Sequence, residues 1–386
     1  MKIKIGVLFG GKSVEHELSI LTAIQAMDQI DTEKYEIIPI YITKNLQFYS
    51  GGMLRYIDSY RDFNLIKRYA KKINLVNKDG RFILQTCGHI KKEYNEIHMA
   101  FPIVHGAKTE DGTLQGYLQL LGVPCIGNSV YASAVGQDKV FMRQILESAN
   151  LPLTNYVWFF DTDYLNNKEE LFKKINSLKY PLILKPATLG SSIGIEIIKQ
   201  KEELESAIEK AIKYDNKILI EEAIESLIEY TCSVLGNTNR LDTSDIEEII
   251  KNDGIKKYSD KILKPADLEN NDNLVRNIPA DISQKLQKDI ENYSKETFRL
   301  LNLKGIASID FLYDKATKKL YVDEVNTIPN YFSHHLWENK NVSYKEIINY
   351  LISETIKNVN KEKEMTLTIE NNVIDVMKPT DIQELK

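Results

Sequence analysis

The sequence has few cysteines, no long apolar run and no surplus of basic residues, and each absence argues against a class of protein. The three cysteines in 386 residues are odd in number and widely spaced, which argues against a disulfide framework or a zinc site. No apolar run approaches the roughly 20 residues that a membrane-spanning helix needs. The net charge of −5 at pH 7 argues against a nucleic-acid partner, because it implies no excess basic patch.

The amino terminus also lacks a signal peptide's separate charged, apolar and small-residue regions, and residues 3–9 are better explained as a first β-strand. Hydrophobic residues make up 43% of the chain and charged residues 27%, which is typical of globular proteins, and the length allows two or three domains. We therefore expect a cytoplasmic protein that acts on small molecules, with no membrane or nucleic-acid partner.

Strands and helices alternate in the first third of the chain. The strand at 3–9 ends at a Gly10-Gly11 turn, and Ser13 is predicted to cap a helix that starts near Val14. A later strand is predicted at 98–104. This alternation predicts an α/β fold with a parallel sheet covered by helices. A glycine turn after a first strand is, by itself, more often a tight connection than a nucleotide site.

The segment 184–194 has the composition of a phosphate-binding loop. Lys185 stands near the end of an apolar strand, and the Ser191-Ser192 pair that follows is bounded by glycines. One point charge beside several unobstructed backbone N–H donors suits phosphate oxygens. The alternative is a lysine that extends to solvent. Two further ATP candidates, Lys139 and the Glu221-Glu222 pair, are weak evidence when taken alone.

Three oxygen-bearing side chains on two predicted strands, 305–313 and 319–325, suggest a magnesium site. Asp310 interrupts an apolar strand, where a carboxylate needs a partner or a metal. Glu324 and Asn326 are two residues apart, so their side chains face the same way. Magnesium that bridges ATP phosphates prefers such hard ligands. The alternative is a buried polar network with lysine or backbone partners.

Two polar stretches are candidate loops. Residues 105–116 lead into a helix and could line a cleft between domains, although a capped helix start explains the same composition. Residues 239–280 are predicted as a long loop, and long loops in compact domains are often active-site covers.

Taken together, these segments resemble the D-alanine–D-alanine ligase family of the ATP-grasp superfamily. The matching segments cover about residues 3–358 and are 8–19, 105–116, 136–139, 185–194, 235–237, 309–310 and 324–329. The resemblance implies three domains, with ATP held between the second and the third. They are an N-terminal α/β domain (1–127), a central ATP-grasp domain (128–222), and a C-terminal ATP-grasp domain with the metal site (223–360), followed by a tail (361–386).

The resemblance also implies a reaction, in which the γ-phosphoryl group of ATP passes to a carboxylate and an amine then attacks the acyl phosphate. It places two Mg²⁺ ions on Asp310, Glu324 and Asn326. The ATP residues that it implies are Lys139, Lys185, Ser191, Ser192, Glu221, Glu222 and Glu229. Glu15 would bind the ammonium of the first amino acid, and His105 belongs to the predicted substrate residues.

The sequence departs from the family pattern around the second substrate. Ser308 stands where the family usually has an arginine that stabilises the tetrahedral oxyanion, and Asn330 stands where it usually has glycine. The mobile loop keeps Lys261 but has Ile262 where the family has tyrosine. The predicted second-substrate residues are Asn330, Ser333, His334 and His335, and the residues closest to the chemistry are Glu15, Ser191, Lys261 and Ser308.

These departures lead us to expect a carboxylate–amine ligase with an altered acceptor. Strict synthesis of D-alanyl-D-alanine is the first alternative. A non-catalytic nucleotide-binding homologue is the second, and the complete set of metal ligands argues against it. A homodimer is compatible with the sequence, which does not determine the oligomeric state.

Overall fold

The computed structural model describes residues 2–106, 108–190, 193–237, 239–251, 274–362 and 364–365. The predictions for Ser191, Ser192, Lys261 and nearly all of the tail 361–386 lie outside the described residues. Within them, the chain forms three sheets of seven, four and five strands that follow one another in sequence.

The first sheet contains β1 to β7 in the order β6-β5-β4-β3-β2-β1-β7, and β1 is parallel to β2 and β7. Its strands are Ile3–Gly10, Tyr35–Ile42, Phe48–Ser50, Lys71–Lys78, Arg81–Thr86, Glu93–Ile97 and Met99–Val104. Its helices α1 to α3 are His16–Gln29, Phe63–Tyr69 and Thr113–Leu120. The α/β fold is confirmed, and the parallel sheet is extended by antiparallel strands β3 to β6.

The prediction that Ser13 caps the first helix is wrong. Helix α1 begins at His16, and no side chain caps its first turn. Ser13 Oγ instead donates to the carbonyl of His105 at 2.6 Å and accepts from the backbone N–H of Glu15 at 3.1 Å. The carbonyl of His105, just after β7, thus accepts a hydrogen bond from the Ser13 hydroxyl, which joins the glycine turn to the 105–116 loop.

The second sheet is antiparallel, in the order β10-β9-β11-β8. Strands β8 to β11 are Tyr156–Phe160, Leu182–Pro186, Glu196–Ile198 and Lys217–Glu222. Helices α4 to α8 are Val130–Gln137, Lys139–Ser148, Asp161–Asn166, Lys168–Ile175 and Leu204–Ala211. Because Lys185 stands on β9 and Glu221 on the neighbouring β11, the two can meet.

The third sheet is also antiparallel, in the order β14-β13-β12-β15-β16. Strands β12 to β16 are Leu227–Gly236, Leu241–Lys251, Leu274–Asn277, Gly305–Asp314 and Lys319–Asn326. Helices α9 and α10 are Gln284–Leu300 and Tyr344–Glu362, and a 3₁₀ helix spans Asn330–Leu336. The prediction of one long loop over 239–280 is wrong for β13 and β14. Strand β13 carries polar residues on both faces, among them Glu247 and Glu248, and that polarity hid the strand.

Apolar packing links the three sheets. Met142 and Leu146 of α5 belong to the core of the third sheet, together with Ile309 and Phe311. The helix that carries Lys139 is therefore anchored close to the strands of the metal candidates. Helix α10 joins the core of the first sheet. In the described part of the chain, no helix has the length and apolarity to cross a membrane. The domain boundaries stay a prediction.

Candidate active site

Lys185 is a buried, charged lysine at the end of β9. Its residue is 7% exposed, and its Nζ lies 2.9 Å from Asp323 Oδ1 and forms a second ion pair with Glu221. Burial lowers the pKa of the ammonium, but Asp323 and Glu221 outweigh burial and raise the pKa above its ordinary value. The side chain therefore presents a permanent positive charge beside the 185–194 loop.

Arg143 holds the same pair of carboxylates from the other side. Its Nη2 lies 2.6 Å from Glu221 Oε2 and 3.2 Å from Asp323 Oδ1. Burial raises the pKa of Glu221, but Arg143 and Lys185 outweigh it and lower the pKa to about 2. The Glu221 carboxylate, 1% exposed, thus faces Arg143, Lys185 and the hydroxyl of Thr154. It holds the two cations in place, and its predicted contact with ATP stays a prediction.

Sequence reasoning missed Arg143 and gave Asp323 no role. Arg143 stands four residues after Lys139 on α5, so both lie on one helix face, and that spacing was the available signal. Asp323 offered no comparable signal, because acidic residues beside a metal-ligand candidate are often solvated.

Lys139 connects the metal candidates to the phosphate loop. Its Nζ lies 3.1 Å from Glu324 Oε1 and donates to the carbonyl of Leu189 at 2.8 Å. Asp138 caps the helix by accepting from the backbone N–H groups of Val140 and Phe141, so the start of α5 is fixed. The Glu324 carboxylate therefore already faces one cationic group.

Asp310, Glu324 and Asn326 meet on one face of the third sheet. Asp310 is opposite Glu324 across the β15–β16 pair, and an irregularity in the register follows Asp310. Asp310 accepts from Asn326 Nδ2 at 3.1 Å and from the Thr231 hydroxyl at 2.7 Å. Glu229 stands two residues before Thr231 on β12, so its side chain belongs to the same face.

The oxygen set fits a divalent cation by its chemistry. It contains two carboxylates and the amide of Asn326, whose Nδ2 donates to Asp310 and leaves Oδ1 available as a ligand. In the described ranges there is no group of three or more His, Cys, Asp or Glu side chains that could hold a metal. A metal bound here would therefore need the amide oxygen as its third protein ligand.

Glu15 lies at the junction of two loops. Its residue is 9% exposed. A Cβ atom added to Gly190 would lie 3.3 Å from Glu15 Oε2, and one added to Gly106 would lie 2.7 Å from it. The carboxylate thus lies against the phosphate loop and the 105–116 loop at once. At Gly106 only glycine fits, because φ is also +83°.

His105 and Glu222 have hydrogen-bond partners outside the ion pairs described above. His105 is 2% exposed, its Nε2 lies 3.3 Å from the Thr22 hydroxyl, and burial lowers its pKa to about 4. The ring is therefore neutral at pH 7 and packs on α1. Glu222 accepts from the backbone N–H of Lys179 at 2.9 Å and from Asn155 at 3.1 Å.

The predicted second-substrate residues share the 3₁₀ helix after β16. Ser333, at φ +48°, belongs to a run of three residues in the left-handed region. His334 stacks on Tyr344 with ring centroids 4.6 Å apart, and burial lowers its pKa. The Nε2 atom of His335 is buried without a hydrogen-bond partner in the part of the chain that the structure describes. Asn330 opens this helix.

Ser308 is buried and carries no charge, and an arginine of the same sheet, Arg276, stands on β14. Ser308 is opposite Asn326 on β16 and Ser233 on β12. Arg276 on β14 lies 2.8 Å from Glu247 on β13, and their side chains are 18% and 6% exposed. Glu247 is opposite Thr231, so this ion pair lies on the same face as the metal candidates.

Comparison with known proteins gives one family. The family described as D-ala D-ala ligase N-terminus matches residues 4–128, and that described as D-ala D-ala ligase C-terminus matches residues 145–353. A curated D-alanine–D-alanine ligase of Thermosipho melanesiensis is 34% identical over 97% of this chain and 99% of its own length. One from Clostridium acetobutylicum is 37% identical over 91% and 97%.

Solved structures agree with the sequence relatives. The VanG D-Ala:D-Ser ligase from Enterococcus faecalis superposes with a TM-score of 0.77 at 28% identity, over 92% of this chain and all of that one. The D-alanine–D-alanine ligase from Coxiella burnetii gives a TM-score of 0.78 at 25% identity, over 94% and 96%.

Replacing Lys185 by alanine should weaken ATP binding about ten- to a hundredfold, because a charge-assisted contact of about 1.5–3 kcal/mol to a phosphate is lost. Titration calorimetry with magnesium and ATP measures the change. Lys210→Ala is the control, since it removes an exposed lysine–glutamate pair near the same sheet. Equal ATP affinities in wild type and Lys185→Ala would show that this loop does not bind phosphate.

Replacing Arg143 by methionine should lower the free energy of unfolding by about 3–5 kcal/mol at pH 7, because it breaks a buried ion pair. The pKa of Glu221 is held near 2, below its ordinary 4.5, so the stabilisation is complete above pH 4.5 and is lost as the pH falls towards 2. Urea unfolding at several pH values should show the gap between wild type and variant narrowing below pH 4.5. A gap independent of pH would contradict this assignment.

Proposed function

The chain belongs to the D-alanine–D-alanine ligase family and is an ATP-grasp ligase, and on that premise we propose that it joins the carboxylate of one amino acid to the amine of a second substrate. The convergence of Lys139 and Lys185 on the acidic end of β16 carries this proposal. Two buried ammonium groups beside Asp310, Glu324 and Asn326 form a site for polyphosphate and its counter-ions.

The proposed roles divide between phosphate, metal and amino acid. Lys185 and Lys139 hold ATP phosphates, and Arg143 keeps Lys185 in place through their shared carboxylates. Magnesium ions on Asp310, Glu324 and Asn326 would neutralise charge on the phosphoryl group being transferred. Glu229, on the same face, would accept hydrogen bonds from the nucleotide's hydroxyls.

The proposed reaction has two steps, a phosphoryl transfer and an attack by an amine. A carboxylate oxygen of the first amino acid attacks the γ-phosphorus, the bond from that phosphorus to the bridging oxygen breaks, and ADP leaves. The amine nitrogen of the acceptor then attacks the acyl carbon, phosphate leaves with the electron pair of the C–O bond, and the nitrogen loses a proton. Glu15 holds the first amino acid's ammonium, and closed loops exclude the water that would hydrolyse the acyl phosphate.

We further propose that the second-substrate site differs from that of a strict D-alanyl-D-alanine synthase. Ser308 offers no charged, forked donor to an oxyanion or a carboxylate. One guanidinium on this face, that of Arg276, is paired with Glu247. The pKa of His335 is lowered by burial, with Glu247 and Arg276 among the charges that act on it, so the three lie close together. The acceptor would then meet an Arg–Glu–His group.

The names of the relatives bear on this choice. The curated relatives described above are named D-alanine–D-alanine ligases, which supports the strict reaction as the alternative. The Enterococcus faecalis structure is named for D-Ala and D-Ser, so a different second amino acid occurs among similar proteins. A non-catalytic homologue is disfavoured, because the set of metal ligands, Asp310, Glu324 and Asn326, is complete and a mere scaffold has no need of it.

The variants Asp310→Asn and Glu324→Gln should each reduce ATP turnover at least a hundredfold, about 2.7 kcal/mol of transition-state stabilisation, while leaving the fold intact. Phosphate release and circular dichroism measure the two properties. Asp314→Asn, on the same strand but bonded to the Ala316–Thr317 turn, is the matched control. Near wild-type turnover in both site variants would place the metal site elsewhere.

With D-alanine as the only amino acid, dipeptide formation should be slow, and another amine should be preferred in a panel of D- and L-amino acids and amines. Arg276→Met should raise the KM of the preferred acceptor about tenfold and leave that of ATP unchanged, since about 1.4 kcal/mol of binding is tenfold. Turnover in the ordinary range of roughly 1–1,000 per second with D-alanine at millimolar KM would restore the strict reaction.

A further inference from the structure

Glu110 is a buried carboxylate that neither the ATP site nor the metal site uses. It lies in the loop after β7, and its residue is 8% exposed. Oε2 accepts from the backbone N–H of Gly106 at 3.0 Å. Oε1 accepts from the backbone N–H of Ile328 at 3.1 Å and from the Thr327 hydroxyl at 3.2 Å. One carboxylate thus bonds to two segments that are more than 200 residues apart.

Both segments carry groups of the proposed reaction. Gly106 lies against the carboxylate of Glu15, the residue assigned to the first amino acid. Thr327 directly follows Asn326, the amide of the metal set. Glu110 therefore spans the gap between the amino-acid end of the site and its metal end.

The Thr327 segment is also held by contacts other than those of Glu110. Asn128 Nδ2 donates to the Thr327 carbonyl at 2.7 Å, so the backbone is held on its other side as well. A Cβ atom added to Gly136 would lie 2.4 Å from Thr327 Cγ2, which shows how closely α4 packs on it. A shift of Gly106 would be transmitted through the Glu110 carboxylate to Thr327 and so to the adjoining Asn326, because the carboxylate is rigid and its hydrogen bonds are directional.

A carboxylate in this place is costly unless it makes such bonds. Burial, together with the charge of Glu15, raises the pKa of Glu110 to about 7, even though the bonds from Gly106, Ile328 and Thr327 act in the opposite direction. A side chain that only filled space here would be apolar. The hydrogen bonds to both segments are the feature that an apolar side chain could not supply.

We propose that Glu110 is a positioning residue that couples binding of the first amino acid at Glu15 to the geometry of Asn326 at the metal set. The coupling rests on the proposed function, because it assigns substrates to both ends. Glu110 itself touches neither substrate nor metal. By linkage, an amino acid bound at Glu15 should change the affinity for magnesium–nucleotide, and the nucleotide should change the affinity for the amino acid by the same factor.

The test measures this factor in the full-length protein. Calorimetry gives the Kd of a magnesium-bound, non-hydrolysable ATP analogue with and without saturating D-alanine. Wild type should show a change of about fivefold or more, the usual lower end of coupling between sites. Glu110→Gln keeps the side-chain volume but replaces one acceptor oxygen by a donor, so the factor should fall to near one while both ligands still bind.

Two further variants separate coupling from folding. Thr327→Val removes one of the three bonds and should reduce the factor partly, which keeps the test usable if Glu110→Gln is unstable. Glu354→Gln is the matched control, because Glu354 is similarly buried, 9% exposed against 8% for Glu110, and accepts from Asn237 Nδ2, but lies on α10. The coupling factor of Glu354→Gln, the change in nucleotide Kd that D-alanine causes, should equal that of wild type.

The outcomes are distinct. An unchanged factor in Glu110→Gln, or a wild-type factor of one with D-alanine bound, would overturn the coupling while leaving the ligase proposal in place. Failure of wild type to bind the nucleotide analogue would overturn both, and the nucleotide titration alone reveals that case. In turnover assays, Glu110→Gln should raise the KM of the first amino acid more than it lowers kcat, whereas general destabilisation would change neither selectively.

Discussion

A buried group of two cations and two carboxylates determines how the candidate site is built. Lys185 and Arg143 share Glu221 and Asp323, and these side chains come from the second sheet, from α5 and from the last strand of the third sheet. Removing any one member leaves a buried charge without full compensation, which is expensive. The group therefore fixes the second sheet against β16, and the phosphate loop against the metal candidates.

Around this group, the site combines pieces that no single sheet contains. The third sheet supplies Asp310 and its in-phase partners on one face, while α5 brings Lys139 to Glu324. The first sheet supplies Glu15 through the turn after β1, and Glu110 joins its loop to the end of β16. Phosphate, metal and amino-acid recognition thus depend on contacts between separate parts of the chain, as a reaction with three substrates requires.

Features that depend on a local sequence pattern could be predicted from the sequence. Lys185 at a strand end and the two-residue spacing of Glu324 and Asn326 are local, and in the structure Lys185 pairs with Asp323, the residue before Glu324. The β4–β5 hairpin had a local signal in Asp79-Gly80, both at positive φ, which the prediction did not use. Arg143 had only its four-residue spacing from Lys139 as a signal, which the prediction did not use. The role of Glu110 could not be found, because nothing local indicates which distant groups will bond to a buried carboxylate.

The central claim is that this protein forms an acyl phosphate from ATP and an amino-acid carboxylate before any amine attacks. ATP carrying ¹⁸O in the β,γ-bridging position tests it most directly, with magnesium and each candidate first amino acid but no separate acceptor. Reversible transfer lets the β-phosphate of bound ADP rotate, so the account predicts that the label moves to non-bridging positions only when the correct amino acid is present. A label that stays in the bridge with every amino acid, while ATP binds normally, would contradict it.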